Sequence, residues 1–562
     1  MKKIMKRKRF IWMVATILLC GLTVVSLTAC SSDDPEPAPE NPEEQGDPSS
    51  DVDWTAIHNE LQPQLVDSAS VSMYDFFNDI YENATQGNDP EDELRAAWAK
   101  MNMDKLYQTA DSLAKTEGSN GYGTAISSIL GAFRLKTAYV RYLSVGADGS
   151  KTVLTTLVAW PYYRFPLPNP NPDHVILGCH CTIGSDAERP TNYTNLPFDK
   201  DVSIMVGHWA CSDLFVQVLL EALGPLNPAE CLVVVPDYEG FGYTKDHSHP
   251  YLNREVQARQ CMDAALAGID WYLEYEKKPL EKNWKMVSIG YSQGGAVSAG
   301  TYRYFLEHKS SYKGINYVGA VCGDGPYNPF ATLKYYCDID VMDMPCAPAM
   351  MVKGLFDSDA EMIASGNKLE DYLTDDFIKT GIFEGIASKN KTTDDLDEMV
   401  YGYIESHPDC SLSYNGAYAH FGRELRASTV LRPDVFEFFK NGTLPTDSER
   451  KQKIELLAHC LKKNALFYKS DTENWTPPKG SQFTFFHGKG DIVVPFTNFQ
   501  SVLDAWKDHK SQCNFTTYDA GINGHSAIGV QFFLNEMDSE TYAMLLGKWE
   551  AGEYTSTKKT SI

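Results

Sequence analysis

Apolar positions along this chain keep three different rhythms. From residue 53 to about 120 they recur at helical spacing, in "WTAIHNELQPQLVDSASVSMYDFFNDIYENA" and "EDELRAAWAKMNMDKLYQTADSLAKTE", with acidic residues near the starts. This spacing predicts two or three helices ahead of the main domain. Over 132–163, "AFRLKTAYVRYLSVGADGSKTVLTTLVAWPYY", apolar residues alternate in two runs around Asp148-Gly149, the mark of a β-hairpin. Short continuous runs rich in β-branched and aromatic residues then take over: "HVILGCH" (174–180), "CLVVVPD" (231–237), "WKMVSIG" (284–290), "INYVGAVCG" (315–323) and "QFTFFHG" (482–488). Helical stretches at 214–223, 254–276 and 296–308 lie between most of them. Strands apolar on both faces, alternating with helices, predict a mostly parallel sheet covered on both sides, an α/β architecture.

One interval breaks the alternation. The 158 residues from 324 to 481 are acid-rich and read as mostly helical. An insertion of that length between neighbouring strands of one domain is expected to be a cap or lid over a pocket, with an independent accessory domain as the alternative.

The first residues follow another logic. "MKKIMKRKRF" is basic, "IWMVATILLCGLTVVSL" is apolar and "LTAC" ends at Cys30, the layout of a secretory signal rather than of a membrane span. Leu27-Thr28-Ala29-Cys30 resembles a bacterial lipobox, which implies lipidation of Cys30 and attachment to a membrane through its acyl groups. The Pro-, Ser- and acid-rich segment that follows cannot pack and is expected to be a solvated tether. Its opening "SSDD" resembles the surface-export signal of Bacteroidota lipoproteins, which favours the outer membrane or cell surface, facing outward, over a periplasm-facing position.

Composition narrows the classes further. With 43% hydrophobic and 22% charged residues the chain is an ordinary globular protein. The net charge of −25 becomes −31 once the six basic residues of the leader are removed. Such a body repels polyanions, so a nucleic-acid partner is excluded. The 13 cysteines include no paired CxxC spacing, and Cys179 and Cys181 flank His180 on a strand where alternate side chains point to opposite faces, so no zinc site is expected. The pattern leaves room for one or two disulfides, Cys337 and Cys346 being the nearest pair in the insertion.

The chemistry concentrates in "SIGYSQGG". Gly290-Tyr291-Ser292-Gln293-Gly294 fits G-x-S-x-G between a predicted strand and a predicted helix, the setting of a nucleophile elbow. A serine held at positive φ on so sharp a turn leaves no room for side chains two residues before and after it. With Gly and Ser each near about 7% of residues, chance alone gives about 0.2 such motifs in a chain of this length, so the motif needs partners. Asp491, in "FTFFHGKGDIVVP", follows a strong strand, and His525, in "TTYDAGINGHSAIG", follows a weaker one. The order Ser, Asp, His suits this fold class, and both partners stand at strand ends where open α/β sheets build sites. Asp519 is a competing acid, Asp508 and His509 read as an exposed helix end, and His487 reads as structural.

Together "GYSQGG", "VVVPDYEGFG" (233–242), "HGKGDIVVP" and "NGHSA" resemble the α/β-hydrolase superfamily, and within it the secretory lipases that include the lipase A type of esterases. The resemblance covers roughly residues 130–550. It implies an α/β-hydrolase fold with a mostly parallel sheet covered by helices, a large helical cap or lid in the place of the insertion, and an N-terminal helical extension. It also implies Ser292 as nucleophile, His525 as general base and then acid, and Asp491 as the group that fixes the imidazole. For the oxyanion hole it implies the backbone N–H groups of Gln293 and of Thr182, the latter in "HCTIGSDAERP", where Cys181 stands in place of the family's usual glycine.

"DYEGFGYTKDHSHPY" gathers Asp237, Glu239, Asp246, His247 and His249, but a glycine turn beside the pocket is the expected reading rather than a metal site. No metal and no cofactor are expected. The chain then divides into a leader (1–29), a tether (30–52), a helical extension (53–125), a first part of the hydrolase core (126–325), a cap (326–480) and a second part of the core (481–555). The expected activity is hydrolysis of carboxylic esters of small molecules, lipids or glycans through an acyl-enzyme. The alternatives are a serine peptidase on the same triad and a non-catalytic surface binding protein on a hydrolase scaffold.

Overall fold

A computed structural model describes residues 53–194 and 230–551, apart from 87–89, 117–121, 165–166, 168, 280–282, 416–422, 519–523 and parts of 526–539, together with 555–556. The expected leader, the lipidated Cys30, the tether and the helix at 214–223 lie outside these residues.

The strands form where the continuous apolar runs are: β4 (His174–Cys179), β5 (Cys231–Pro236), β6 (Trp284–Tyr291), β7 (Ile315–Gly323) and β10 (Phe483–Gly488). β2 (Phe133–Val145) and β3 (Lys151–Tyr163) make the predicted hairpin, closed by Gly149 at φ 81°. With β1 (Gln64–Ser72), β11 (Cys513–Tyr518) and β12 (Thr555–Ser556), they join one ten-stranded sheet in the order 1-2-3-5-4-6-7-10-11-12. Strands β1, β2, β3 and β5 pair antiparallel in turn, and from β5 through β12 the pairing is parallel. The remaining strands, β8 (Tyr468–Ser470) and β9 (Glu473–Asn474), form a small separate hairpin. This is the α/β-hydrolase fold.

Alternate residues of the central strands feed two different cores, as the period of two requires. Val158, Val175, Leu177 and Val234 face one side, where α5 (Arg254–Tyr275) and α6 (Gln293–Glu307) pack. Leu157, Ile176, Val233 and Val235 face the other. Each fully buried Val, Ile or Leu here contributes roughly 1.5–3 kcal/mol.

The second face is covered largely from the N-terminal extension, by α2 (Met73–Gln86), α3 (Pro90–Thr116) and α4 (Tyr122–Ala132), through Phe76, Phe77, Trp98 and Ile129. The first helix, α1 (Trp54–Leu61), instead sends Trp54 and Leu61 into the opposite core. The extension, read from its spacing as helical only, also contains β1, which pairs with Arg134–Arg141 of β2. Its sequence "QLVDSASVS" hides this strand because Leu65 and Val66 are 43% and 40% exposed, as an edge strand allows.

The insertion between β7 and β10 is helical, opening with α7 (Pro329–Ile339) and α8 (Cys346–Ser358) and ending with α9 (Ser448–Lys463). It holds a third core of its own, built on residues such as Leu333, Met350, Phe377, Leu396 and Leu457 and reaching Tyr251 and Leu252 of the main domain. The ten described cysteines are all free, Cys337 and Cys346 among them, so the nearest predicted pair forms no bridge.

Candidate active site

Ser292 stands between β6 and α6 at φ 58°, ψ −127°, a backbone conformation that costs a non-glycine residue of order 1–3 kcal/mol. Its amide donates to the Gly323 carbonyl at 2.9 Å, tying the turn to the neighbouring strand. The flanking glycines are obligatory. A Cβ on Gly294 would lie 1.9 Å from the Cys179 carbonyl oxygen, and one on Gly290 would lie 2.1 Å from that of Gly294.

Asp491 lies beyond the end of β10, fully sheltered from solvent, and His525 follows β11. Their side chains meet with Nδ1 2.6 Å from Oδ2. The other carboxylate oxygen accepts the amides of Val493 and Val494, both at 2.9 Å, which fixes the carboxylate plane. Burial works to raise the Asp491 pKa, yet the His525 ring and a hydrogen bond from Asp324 together hold it below the ordinary carboxylate value. The acid and the base named from the sequence are therefore in contact. Tyr291, next to Ser292, donates its hydroxyl proton to the His525 carbonyl at 2.6 Å, and the two rings lie 5.0 Å apart, which sets the base beside the elbow.

A second acidic group belongs to this cluster and was missed from the sequence. Asp324 is the residue after β7, at φ 35°, and is fully buried. One of its oxygens accepts the Gly488 amide at 2.9 Å and the other is 3.2 Å from the Tyr291 hydroxyl. Its pKa is pushed well above the ordinary value, first by burial and then by the adjacent Asp491 carboxylate. Two buried carboxyls side by side cannot both ionise, so Asp324 keeps its proton and Asp491 keeps its charge. The proton has a place: Asp324 donates it in a side-chain hydrogen bond to the Asp491 carboxylate. The sequence signal was a strand-end acid between glycines in "CGDGP". Asp324, Asp491 and His525 also form a set of ligand atoms within 4.8 Å of one another that could hold a cation. Each of the four carboxylate oxygens in it already has a hydrogen-bond partner.

Gln293 and Thr182 flank the elbow. The Gln293 amide nitrogen is 2.7 Å from His249 Nε2, and His249 Nδ1 is 2.7 Å from the Glu239 carbonyl. Burial, with the nearby Lys389 ammonium adding to it, lowers the His249 pKa to about 3, so the ring is neutral and accepts from Gln293 while donating to Glu239. Thr182 Oγ1 meets the Tyr251 hydroxyl at 2.8 Å. Cys181, which replaces the family's glycine, is 2% exposed and packs in the second core, so the turn accommodates its side chain.

Of the acidic and histidine side chains in the "DYEGFGYTKDHSHPY" loop only those of Glu239 and His247 meet, Oε1 to Nδ1 at 3.2 Å, and the other bonds of these side chains go to separate partners. Asp237 accepts from Thr155 and Thr191, Glu239 from Gln260 and the Ala147 amide, and His249 serves Gln293. His487 is buried, its Nε2 2.9 Å from the Val494 carbonyl, with a pKa lowered by burial to about 4.

A cleft of about 380 Å³ opens on Ser292, lined by Thr182, Tyr251, Tyr336, Met351 and Val494 among others. Tyr336 and Met351 come from α7 and α8, so the insertion supplies part of the cleft wall.

No family model matches the chain, and no curated protein matches it. Solved structures do. A putative hydrolase from Legionella pneumophila aligns at 15% identity with TM-score 0.52, covering 75% of this chain and 91% of that one. LipA, a rice cell-wall-degrading esterase from Xanthomonas oryzae, aligns at 16% identity with TM-score 0.51, covering 74% and 94%. Lipase A of Candida antarctica aligns at 14% identity with TM-score 0.48, covering 76% and 81%. At these identities the likeness is one of fold.

Proposed function

We propose that this chain is a serine hydrolase of carboxylic esters. The observation that carries the reading is the 2.6 Å contact of His525 Nδ1 with Asp491, at the strand ends that also present Ser292 on its strained turn. Asp491 holds the Nδ1 proton and so leaves Nε2 as the base. Ser292 Oγ attacks the ester carbonyl as its proton passes to Nε2. The backbone N–H groups of Gln293 and Thr182 receive the oxyanion. Collapse of the tetrahedral intermediate expels the alcohol, which takes the proton from the imidazolium. Water, deprotonated by the same nitrogen, then releases the acid and frees Ser292.

The shared fold with an esterase supports the reading, as does a largely apolar cleft at the serine. On the same reading, a lipid on Cys30 anchors the enzyme at the outer membrane or cell surface. Replacing Cys30 with alanine should release the protein from the membrane fraction.

The test is a 4-nitrophenyl ester series from acetate to octanoate, with a fluorophosphonate probe. Wild type should cleave members of the series and label at Ser292; Ser292→Ala should not label and should lose roughly 10⁶-fold in kcat. Labelling without cleavage of any ester would replace the reading with a peptidase, and absence of both would leave a binding protein.

A further inference from the structure

Beside the cleft, and sharing Leu252 and Pro326 with it, lies a second, small cavity. It is walled by the first turn of α5, the first turn of α6, and Tyr327 and Asn464 from the insertion. Three donors in its lining lack acceptors. Arg254 Nε, Gln257 Nε2 and the Tyr327 hydroxyl are each buried without a hydrogen-bond partner among the described residues. Gln257 and Tyr327 are both 1% exposed.

The remaining polar side chain in the lining is already engaged: Asn464 Oδ1 takes the Arg254 amide at 3.1 Å, and its Nδ2 donates to the Cys460 carbonyl at 2.9 Å. Arg254 forms no ion pair among the described residues. Glu307, which could have served it, is 3.0 Å from Arg303. Burial first, and then the Arg303 guanidinium, bring the Arg254 pKa down to about 10, which leaves it cationic at neutral pH. The cavity also lies at the N-terminal end of the 22-residue helix α5, where the helix dipole adds positive potential. A buried guanidinium Nε on a half-buried arginine, an amide NH₂ and a phenol, all without acceptors, are costly unless something negative fills the space.

We propose that this cavity is a subsite for a carboxylate carried by the ester substrate, with Arg254 as its counter-ion and Gln257 and Tyr327 as its neutral donors. The guanidinium fork suits a planar carboxylate. The shared walls Leu252 and Pro326 place the subsite next to the space in front of Ser292, so a substrate can occupy both. The proposal rests on the ester-hydrolase reading for its catalytic consequence but not for binding itself.

The test uses the full chain, Arg254→Met, which keeps the apolar stem, and Tyr327→Phe, which keeps the ring. One pair of substrates places the charge on the acyl side, 4-nitrophenyl hydrogen glutarate against 4-nitrophenyl valerate. A second pair places it on the alcohol side, 4-acetoxybenzoate against 4-acetoxybenzamide. Wild type should favour the charged member of one pair in kcat/KM, and the pair that shows it identifies the side. That ratio should fall at least tenfold in Arg254→Met and by less in Tyr327→Phe. Independently of turnover, millimolar glutarate should raise the Tm of wild type and leave that of Arg254→Met unmoved. Cleavage of the neutral esters with no preference in either pair and no glutarate protection overturns the subsite and leaves the hydrolase reading intact. Glutarate protection that depends on Arg254 without cleavage of any ester sinks the hydrolase reading instead. Protection that survives in Arg254→Met overturns the assignment.

Discussion

At the scale of single residues, the site depends on backbone that only certain side chains permit. Gly294→Ala must push its new methyl into the Cys179 carbonyl, 1.9 Å away, and neither partner is a flexible side-chain end. We expect a loss of roughly 1–3 kcal/mol or more, seen as a lower urea midpoint, together with loss of fluorophosphonate labelling. The pair of acids makes a sharper prediction. In the unfolded chain Asp324 releases its proton near pH 4, whereas in the fold it holds it to much higher pH. The native state then binds more protons than the unfolded one, so this group withdraws stability as pH rises from about 4 towards its raised folded value. An asparagine side chain at this position would carry a neutral donor permanently and tolerate the positive φ. Asp324→Asn should therefore gain Tm over wild type increasingly between pH 4 and 7, while still hydrolysing ester; parallel Tm curves would mean that Asp324 is ionised in the fold. Asp491→Asn removes the charge that holds the imidazole proton and should cost roughly 10³–10⁴-fold in kcat.

At the scale of elements, what could be read locally was read well. β4, β5, β6, β7 and β10 show in the sequence because a parallel strand buried on both faces must be apolar throughout, and that pattern is local. Ser292 and Asp491 were legible for the same reason, since each stands at the end of such a run, whereas His525, seven residues beyond the weaker β11, was legible only from its glycine-flanked loop and its order in the chain. β1 was not, because an edge strand has its apolar side chains free to face water and its stability comes from the ladder with β2. Asp324 and Arg254 were not, because their meaning lies in contacts between distant segments: an acid at the end of the strand next to that of another acid, and a cation whose expected partner is taken by Arg303. A consequence for β1 follows. Deleting residues 53–72 would expose the ladder groups of Arg134–Arg141 and remove the buried Trp54 and Leu61. Size-exclusion chromatography should show self-association, with a lowered Tm.

At the scale of the whole molecule, stability and activity should depend on neither bridges nor ions. All ten described cysteines are free and nine of them are buried, so a reductant should leave Tm unchanged. In the trio formed by Asp324, Asp491 and His525 the carboxylate oxygens are engaged with protein partners, and ester hydrolysis should survive EDTA; a large loss on chelation would reassign the trio as a cation site.

The way the insertion is mounted has a consequence for how such proteins diversify. It leaves the sheet at the residue after β7 and returns just before β10, and these strands are neighbours, paired from Phe483 with Ala320 to Phe486 with Gly323. The pairing is parallel, so the chain leaves at one end of this paired stretch and returns at the other, and the two joints sit roughly 11 Å apart, about 10 Å along the strands and about 5 Å across them. Any folded segment whose ends meet at that distance can be exchanged there, and because the segment carries its own core it brings its own stability. Substrate preference can in this way be inherited as a cassette, while the elbow, the acid and the base stay on the sheet.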